Sequence, residues 1–217
     1  MAEPATDLYF EIFDVERRLG ELGLTAGVLL DAVRAGFIGR SNCSELDPPM
    51  YPGQTMWAHT VRCLRQGTAP LLWIPDNSNN YCVALSPEGG IAIAVSTGDA
   101  NTGCRDAVPS TNSPKGPCTA EAVATNQMAL DLRLPGEDEK KPELPAAQQR
   151  QTWLLLIHMD KSEVRAELSL PVSLDEQEKV SSWRERIILP SVDFDPNQIE
   201  LPTDDSDDID IDVRRRA

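Results

Sequence analysis

The stretch "GIAIAVSTG", residues 90–98, decides how the chain is read. Ile91, Ile93 and Val95 alternate with Ala92 and Ala94, and a period of two is the period of a β-strand. Large side chains lie on one face and alanines on the other, so both faces are expected to be covered. The alanine face lets a helix approach closely.

Upstream of this strand, "SPEGG" at residues 86–90 is a strong hairpin signal, and "NYCVALSP" at 80–87 is the partner strand. "DNSNN" at 76–80 divides that strand from "PLLWIPD" at 70–76, a third short β-like run. Before it the period changes to that of helices. Leu8, Ile12, Val15 and Leu19 have helical spacing over residues 7–19, with Thr6 or Asp7 as cap and Gly20 as stop. "TAGVLLDAVRAGF" at 25–37 predicts a second helix ending at Gly36. "SNCSELDPPMYPG" reads as an ordered loop, because three prolines and a glycine oppose regular structure. "QTMWAHTVRCLRQG" at 54–67 is a third helix with Trp57, Val61 and Leu64 as its stripe and Gly67 as its C-terminal cap.

Downstream, "STGDANTGCRDAVPSTNSPKGPC" at 96–118 is polar and irregular. "TAEAVATNQMALDL" then predicts a fourth helix capped by Thr119. Residues 135–151 are charged and proline-rich and read as a flexible loop. "TWLLLIHMDKSEVRAELSLPVSL" predicts two strands around a turn at Asp160–Ser162. On the second of them Val164, Ala166, Leu168 and Leu170 face one way and Arg165, Glu167 and Ser169 the other, which is the pattern of a sheet with one wet face. "WRERIILP" is the last strand.

The fold class is therefore α+β: N-terminal helices, then a mainly antiparallel sheet with an inserted helix and an acidic flexible C-terminal tail. Residues 1–195 are read as a single domain and 196–217 as a disordered tail. In that tail Glu200, Asp204, Asp205, Asp207, Asp208, Asp210 and Asp212 stand against Arg214, Arg215 and Arg216, so it cannot bury enough apolar surface to order itself.

Composition limits the chemistry. The net charge of −15 opposes nucleic-acid binding, which needs a basic footprint. With 41% hydrophobic residues there is material for a core, but no run approaches the ~20 residues that span a bilayer. The N-terminus shows no secretory pattern, and the reading is a cytoplasmic protein with reduced thiols. Five cysteines without a C-x-x-C spacing and only two histidines, His59 and His158, give no metal site. No cofactor is implied. A nucleophile, a base and an orienting group are not brought together by any motif, so no catalytic residue is assigned.

The loop at 96–118 runs from a strand into a helix, which is the context of phosphate sites. Its spacing matches neither the P-loop nor the dinucleotide fingerprint, because Lys115 precedes Gly116 and Pro117 removes a donor. A long segment without regular structure is more often functional or disordered than idle. The first reading is a non-enzymatic protein-interaction module, an adaptor or subunit. It docks a protein with a basic surface through the 98–118 loop and through the tail residues Asp204, Asp205, Asp207, Asp208, Ile209 and Ile211. One alternative is a nucleotide- or phosphate-binding domain, or a hydrolase, using Thr97, Asp99, Thr102, Ser110 and Lys115. The other is an acidic inhibitor or antitoxin-like protein. The oligomeric state is left open.

Overall fold

The computed structural model describes residues 6–131, 150–159 and 163–191. Its centre is one sheet of seven strands: β1 (Asp7–Tyr9), β2 (Ile74–Asp76), β3 (Val83–Leu85), β4 (Ile91–Thr97), β5 (Gln151–Met159), β6 (Val164–Leu174) and β7 (Val180–Ile188), in the spatial order β1-β7-β6-β5-β4-β3-β2. The helices are α1 (Ile12–Glu21), α2 (Ala26–Ser41), α3 (Tyr51–Thr68) and α4 (Pro117–Asp131). The β1–β7 and β4–β5 pairs are parallel and the other four are antiparallel, so the chain is α+β with a mainly antiparallel sheet. The strands at 74–97 and 151–188 join at the β4–β5 pairing, with Ile91 opposite Gln151 and Thr97 opposite Ile157.

The alternation in β4 sorts the two layers. Ile93 and Val95 pack with Trp153, Leu155, Ile157, Leu168 and Ile187 against Val15 and Leu19 of α1, Leu29 and Val33 of α2, and Val61 and Leu64 of α3. Ala92 and Ala94 face the other way with Leu154 and Leu156, against Val123 of α4. Alanine leaves room for the helix, and Asn126 of α4 reaches the sheet itself. Its amide takes the Thr152 N–H at 2.8 Å and donates to the Thr152 and Pro171 carbonyls at 2.9 and 3.0 Å. Buried backbone groups left open by the strand irregularity at Pro171 are satisfied in this way.

Several local expectations are corrected by tertiary contacts. Residues 7–9 are a strand rather than the first turn of a helix: they run along the free edge of β7, and Thr6 donates its hydroxyl to the Trp183 carbonyl at 2.8 Å instead of capping. Gly20 lies inside α1, and the chain reverses at Gly23, whose φ of +72° suits glycine. Gly36 does not stop α2, which continues to Ser41. A Cβ at Gly36 would stand 2.1 Å from Thr60 Oγ1 and 3.0 Å from the Met56 carbonyl, so this glycine is where α3 crosses α2. The "PPMYPG" segment enters the helix early, because Pro52 sits in the first turn of α3, where no N–H is required. "PLLWIPD" is strand only from Ile74 to Asp76, after a single 3₁₀ turn at Ala69–Leu71. Gln151, placed at the end of the charged loop, begins β5.

The largest correction concerns β6. Glu167 and Ser169 are fully buried rather than wet, since the 98–116 loop lies over that face. Tryptophans 73, 153 and 183 are core residues, whereas Trp57 is exposed on α3. All five cysteines are free thiols. Among the described residues no single helix is long and apolar enough to cross a membrane. The β5–β6 turn, most of the 135–151 segment and the tail lie outside the described residues.

Candidate functional site

The segment from Gly98 to Gly116 is held by the strands it covers. Gly98 donates its N–H to the Ile157 carbonyl at 3.0 Å, Thr111 to the Val180 carbonyl at 2.9 Å, and Lys115 to the Glu178 carbonyl at 2.8 Å. The Trp183 indole donates to the Pro109 carbonyl at 2.8 Å. Beneath the loop lies an ion pair sealed from water. Arg186 donates through Nε to Glu167 Oε1 at 3.0 Å and through Nη2 to Oε2 at 2.7 Å. Its remaining donors reach the Ala107 carbonyl at 2.8 Å and the Cys104 carbonyl at 3.0 Å. Glu167 also accepts from the Gly103 N–H at 2.9 Å and the Ser169 hydroxyl at 2.7 Å. Planar guanidinium and carboxylate groups match in this two-point geometry, and the loop carbonyls use the donors left over.

The five residues expected to hold a ligand are placed as follows. Asp99 accepts from the Asn101 N–H at 3.0 Å and from the Ser110 hydroxyl at 3.1 Å, so Asp99 and Ser110 are brought together. Thr102 is buried against Gly98, with its hydroxyl unpartnered; a Cβ on Gly98 would stand 2.0 Å from it. Thr97 ends β4, where its carbonyl accepts from the Asn112 N–H at 2.9 Å. Lys115 turns inward and donates to the Ser96 hydroxyl at 2.7 Å, and burial lowers its pKa below the ordinary lysine value. These contacts direct the polar groups of the loop toward its own turns and toward β4. The tail residues Asp204, Asp205, Asp207, Asp208, Ile209 and Ile211 lie outside the described residues. Of the two histidines, His59 packs its ring against Gly39, with Nδ1 3.2 Å from Arg62 Nη2, and His158 lies in β5.

Among the side chains that the loop exposes, Val108 is the large hydrophobic one. Val108 is 63% exposed, and beside it the Arg105 guanidinium stacks 4.0 Å above the Phe10 ring. Phe10 leads into α1, whose first residues Ile12 and Phe13 are 58% and 87% exposed. Arg105 thus ties the loop to the β1–α1 corner. Glu11 and Asp106, both exposed, stand within the same two segments. Asp14 in the first turn of α1 is held by Arg17 at 3.2 Å. The Arg105–Phe10 stack thus joins two segments that carry the exposed apolar side chains Ile12, Phe13 and Val108 and the exposed carboxylates Glu11 and Asp106. Leu46 and Met50 between α2 and α3, and Leu72 before β2, are also exposed, at points separated along the chain from this corner.

The helix expected over residues 7–19 gave no sign that Phe13 is exposed. A helix starting at Asp7 would carry that residue in its interior, whereas α1 starts at Ile12 and presents Phe13 at its first turn. No signal along the chain joins Phe10 to Arg105, because that stack depends on the loop crossing the sheet. Comparison with protein-family models, with curated proteins and with solved structures gave no match.

Proposed function

We propose that this protein is a non-enzymatic interaction module, and that its docking face is the corner built by Phe10–Phe13 and Arg105–Val108. The observation that carries this reading is the exposure of Ile12, Phe13 and Val108 around the Arg105–Phe10 stack. Arginine and aromatic residues are the side chains that dominate protein interfaces, and contiguous exposed apolar surface marks interaction sites. Glu11 and Asp106 at the rim, within a chain of net charge −15, select a partner that presents an apolar anchor among basic residues. The acidic tail is proposed as a second, electrostatic contact with the same partner.

The loop supports docking better than phosphate binding. Its lysine is committed to Ser96, and Asp99 and Ser110 are committed to each other, so the turn offers no convergent set of donors. The test is quantitative recovery of partners from a native extract with the full chain as bait, compared with a Phe13→Ser/Val108→Ser variant. Both side chains are exposed, so the variant should fold as the parent does. Loss of a specific partner by tenfold or more, about 1.4 kcal/mol, is expected. Recovery of the same proteins in the same amounts by both baits would refute the assignment of this face. Deleting residues 197–217 and raising the salt concentration then separate the tail's contribution, which weakens with ionic strength.

A further inference from the structure

Between α2 and α3 the chain is held at both ends. The Asp47 N–H donates to the Ser44 carbonyl at 3.1 Å, and Asp47 Oδ2 accepts from the Ser44 N–H and hydroxyl at 2.7 and 3.1 Å. Tyr51 opens α3, and its N–H donates to the Pro48 carbonyl at 2.8 Å, which closes a turn over Pro49 and Met50. What stands between these anchors faces water. Pro48 and Pro49 are exposed, Leu46 is 97% exposed, Met50 72% and Tyr51 46%. None of the five belongs to the packed core. Turn chemistry accounts for Pro49, which occupies the turn position that favours proline. It does not account for Pro48 before it or for a tyrosine at its end.

The order Pro48, Pro49, Met50, Tyr51 is a recognition pattern. Proline-rich segments dock in aromatic-lined grooves, because their backbone is already restricted toward the polyproline II helix and loses little entropy on binding. Asp47 and Pro48 each precede a proline and so favour extended backbone. Two classes of domain read such segments. An SH3-type groove takes prolines spaced P-x-x-P, which here are Pro49 and Pro52. Pro52 lies in the first turn of α3, so it is withheld from an extended run. A WW-type groove takes adjacent prolines with a tyrosine two places on. Pro48, Pro49 and Tyr51 stand in that order, and all three are accessible. Glu45 and Asp47 give the segment a negative flank, which favours a groove with a basic rim.

We infer that residues 48–51 are a docking site for a WW-type domain, with the proline pair on its aromatic groove and Tyr51 in the adjoining pocket. Binding opens the turn held by the Tyr51 N–H, a single hydrogen bond, and this lowers affinity by up to about tenfold. The site is separate from the corner at residues 10–13 and 105–108 and does not rest on it.

The test is calorimetric titration of the full chain with a recombinant WW domain of the class that reads Pro-Pro-x-Tyr. The same domain with its groove tryptophan replaced by alanine, and an SH3 domain, are separate arms. Saturable binding of a single WW domain per chain is expected. Pro49→Ala and Tyr51→Ala should each weaken it at least ~10-fold, as loss of an anchor does. Met50→Gln, at the unread position, should bind as the parent does, and so should the Phe13→Ser/Val108→Ser variant. Circular dichroism and the thermal midpoint of each variant establish that it is folded. The inference is overturned if no saturable binding appears up to ~1 mM domain, where even millimolar affinity shows. It is equally overturned if Tyr51→Ala or the domain without its tryptophan binds as tightly as its parent, if Met50→Gln weakens binding as much as Tyr51→Ala, or if the SH3 domain binds more tightly than the WW domain. Loss of binding in the Phe13→Ser/Val108→Ser variant would place the contact at the corner and overturn it as well.

Discussion

Replacing Arg186 by methionine should remove most of the protein's stability, and the size of the loss follows from what the side chain touches. The Glu167 carboxylate is fully buried and holds Arg186 at two points, 3.0 and 2.7 Å. Taking away one member of a buried pair leaves a charge without compensation, a loss of about 3–5 kcal/mol. The carbonyls of Ala107 and Cys104 lose their donors as well, at about 1–2 kcal/mol each. Together these reach roughly 5–9 kcal/mol, comparable to the 5–15 kcal/mol that separates a typical domain from its unfolded state. Glu167→Leu should cost about 4–6 kcal/mol, because Arg186 keeps its carbonyls while Gly103 loses an acceptor. The double variant Glu167→Leu/Arg186→Met has no buried charge, so its loss should fall short of the sum of the single losses by at least ~3 kcal/mol. Urea unfolding followed by tryptophan fluorescence measures all three, and Trp183, bonded to Pro109, reports on the loop directly. A double variant that folds where Arg186→Met does not is the same result in a stronger form. Strictly additive losses, or a loss under ~1 kcal/mol for Arg186→Met, would show that the loop does not seal this pair from water.

Three further outcomes test the architecture. Gly36→Ala places a methyl group 2.1 Å from Thr60 Oγ1 and 3.0 Å from the Met56 backbone, so the helix-propensity gain of about 1 kcal/mol should be overridden by about 1–3 kcal/mol of overpacking; a net rise in thermal midpoint would disprove the close crossing. Ala94→Leu should destabilise by about 1–3 kcal/mol in the same assay, since Ala94 is buried in the layer covered by α4, and a neutral result would mean that α4 does not press on this face. Burial lowers the Lys115 pKa below its ordinary 10.5, so the unfolded chain binds more protons than the folded one across the window from the folded pKa up to 10.5. Stability contributed at this position should therefore rise with pH through that window, and the difference in unfolding free energy between wild type and Lys115→Met should move in favour of wild type as pH increases. A difference independent of pH would place the ammonium in solvent.

The sequence alone determined the element types and the two-sided cover of β4. Alternation of large and small side chains from Ile91 to Val95 depends only on local geometry, and it correctly requires a layer above and a layer below. The same holds for the Ser86–Gly90 hairpin, whose Gly89 adopts a φ of +70°, and for the helix that follows the long loop. Tertiary structure decided which glycines stop helices and which let helices cross, because Gly36 and Gly20 look alike until Thr60 is placed against one of them. It decided that Asp7–Tyr9 extends along β7 rather than coiling, since a strand edge is offered only once the sheet has formed. It also decided that Glu167 lies inside the protein. Alternation reports which residues share a face, but whether that face is wet depends on what lies across it, and here a loop joined to β6 by no sequence signal brings Gly103 and the carbonyls that complete Arg186. For the same reason the Arg105–Phe10 stack could not be read along the chain: it is made by residues about 95 positions apart that meet only through the order of the strands.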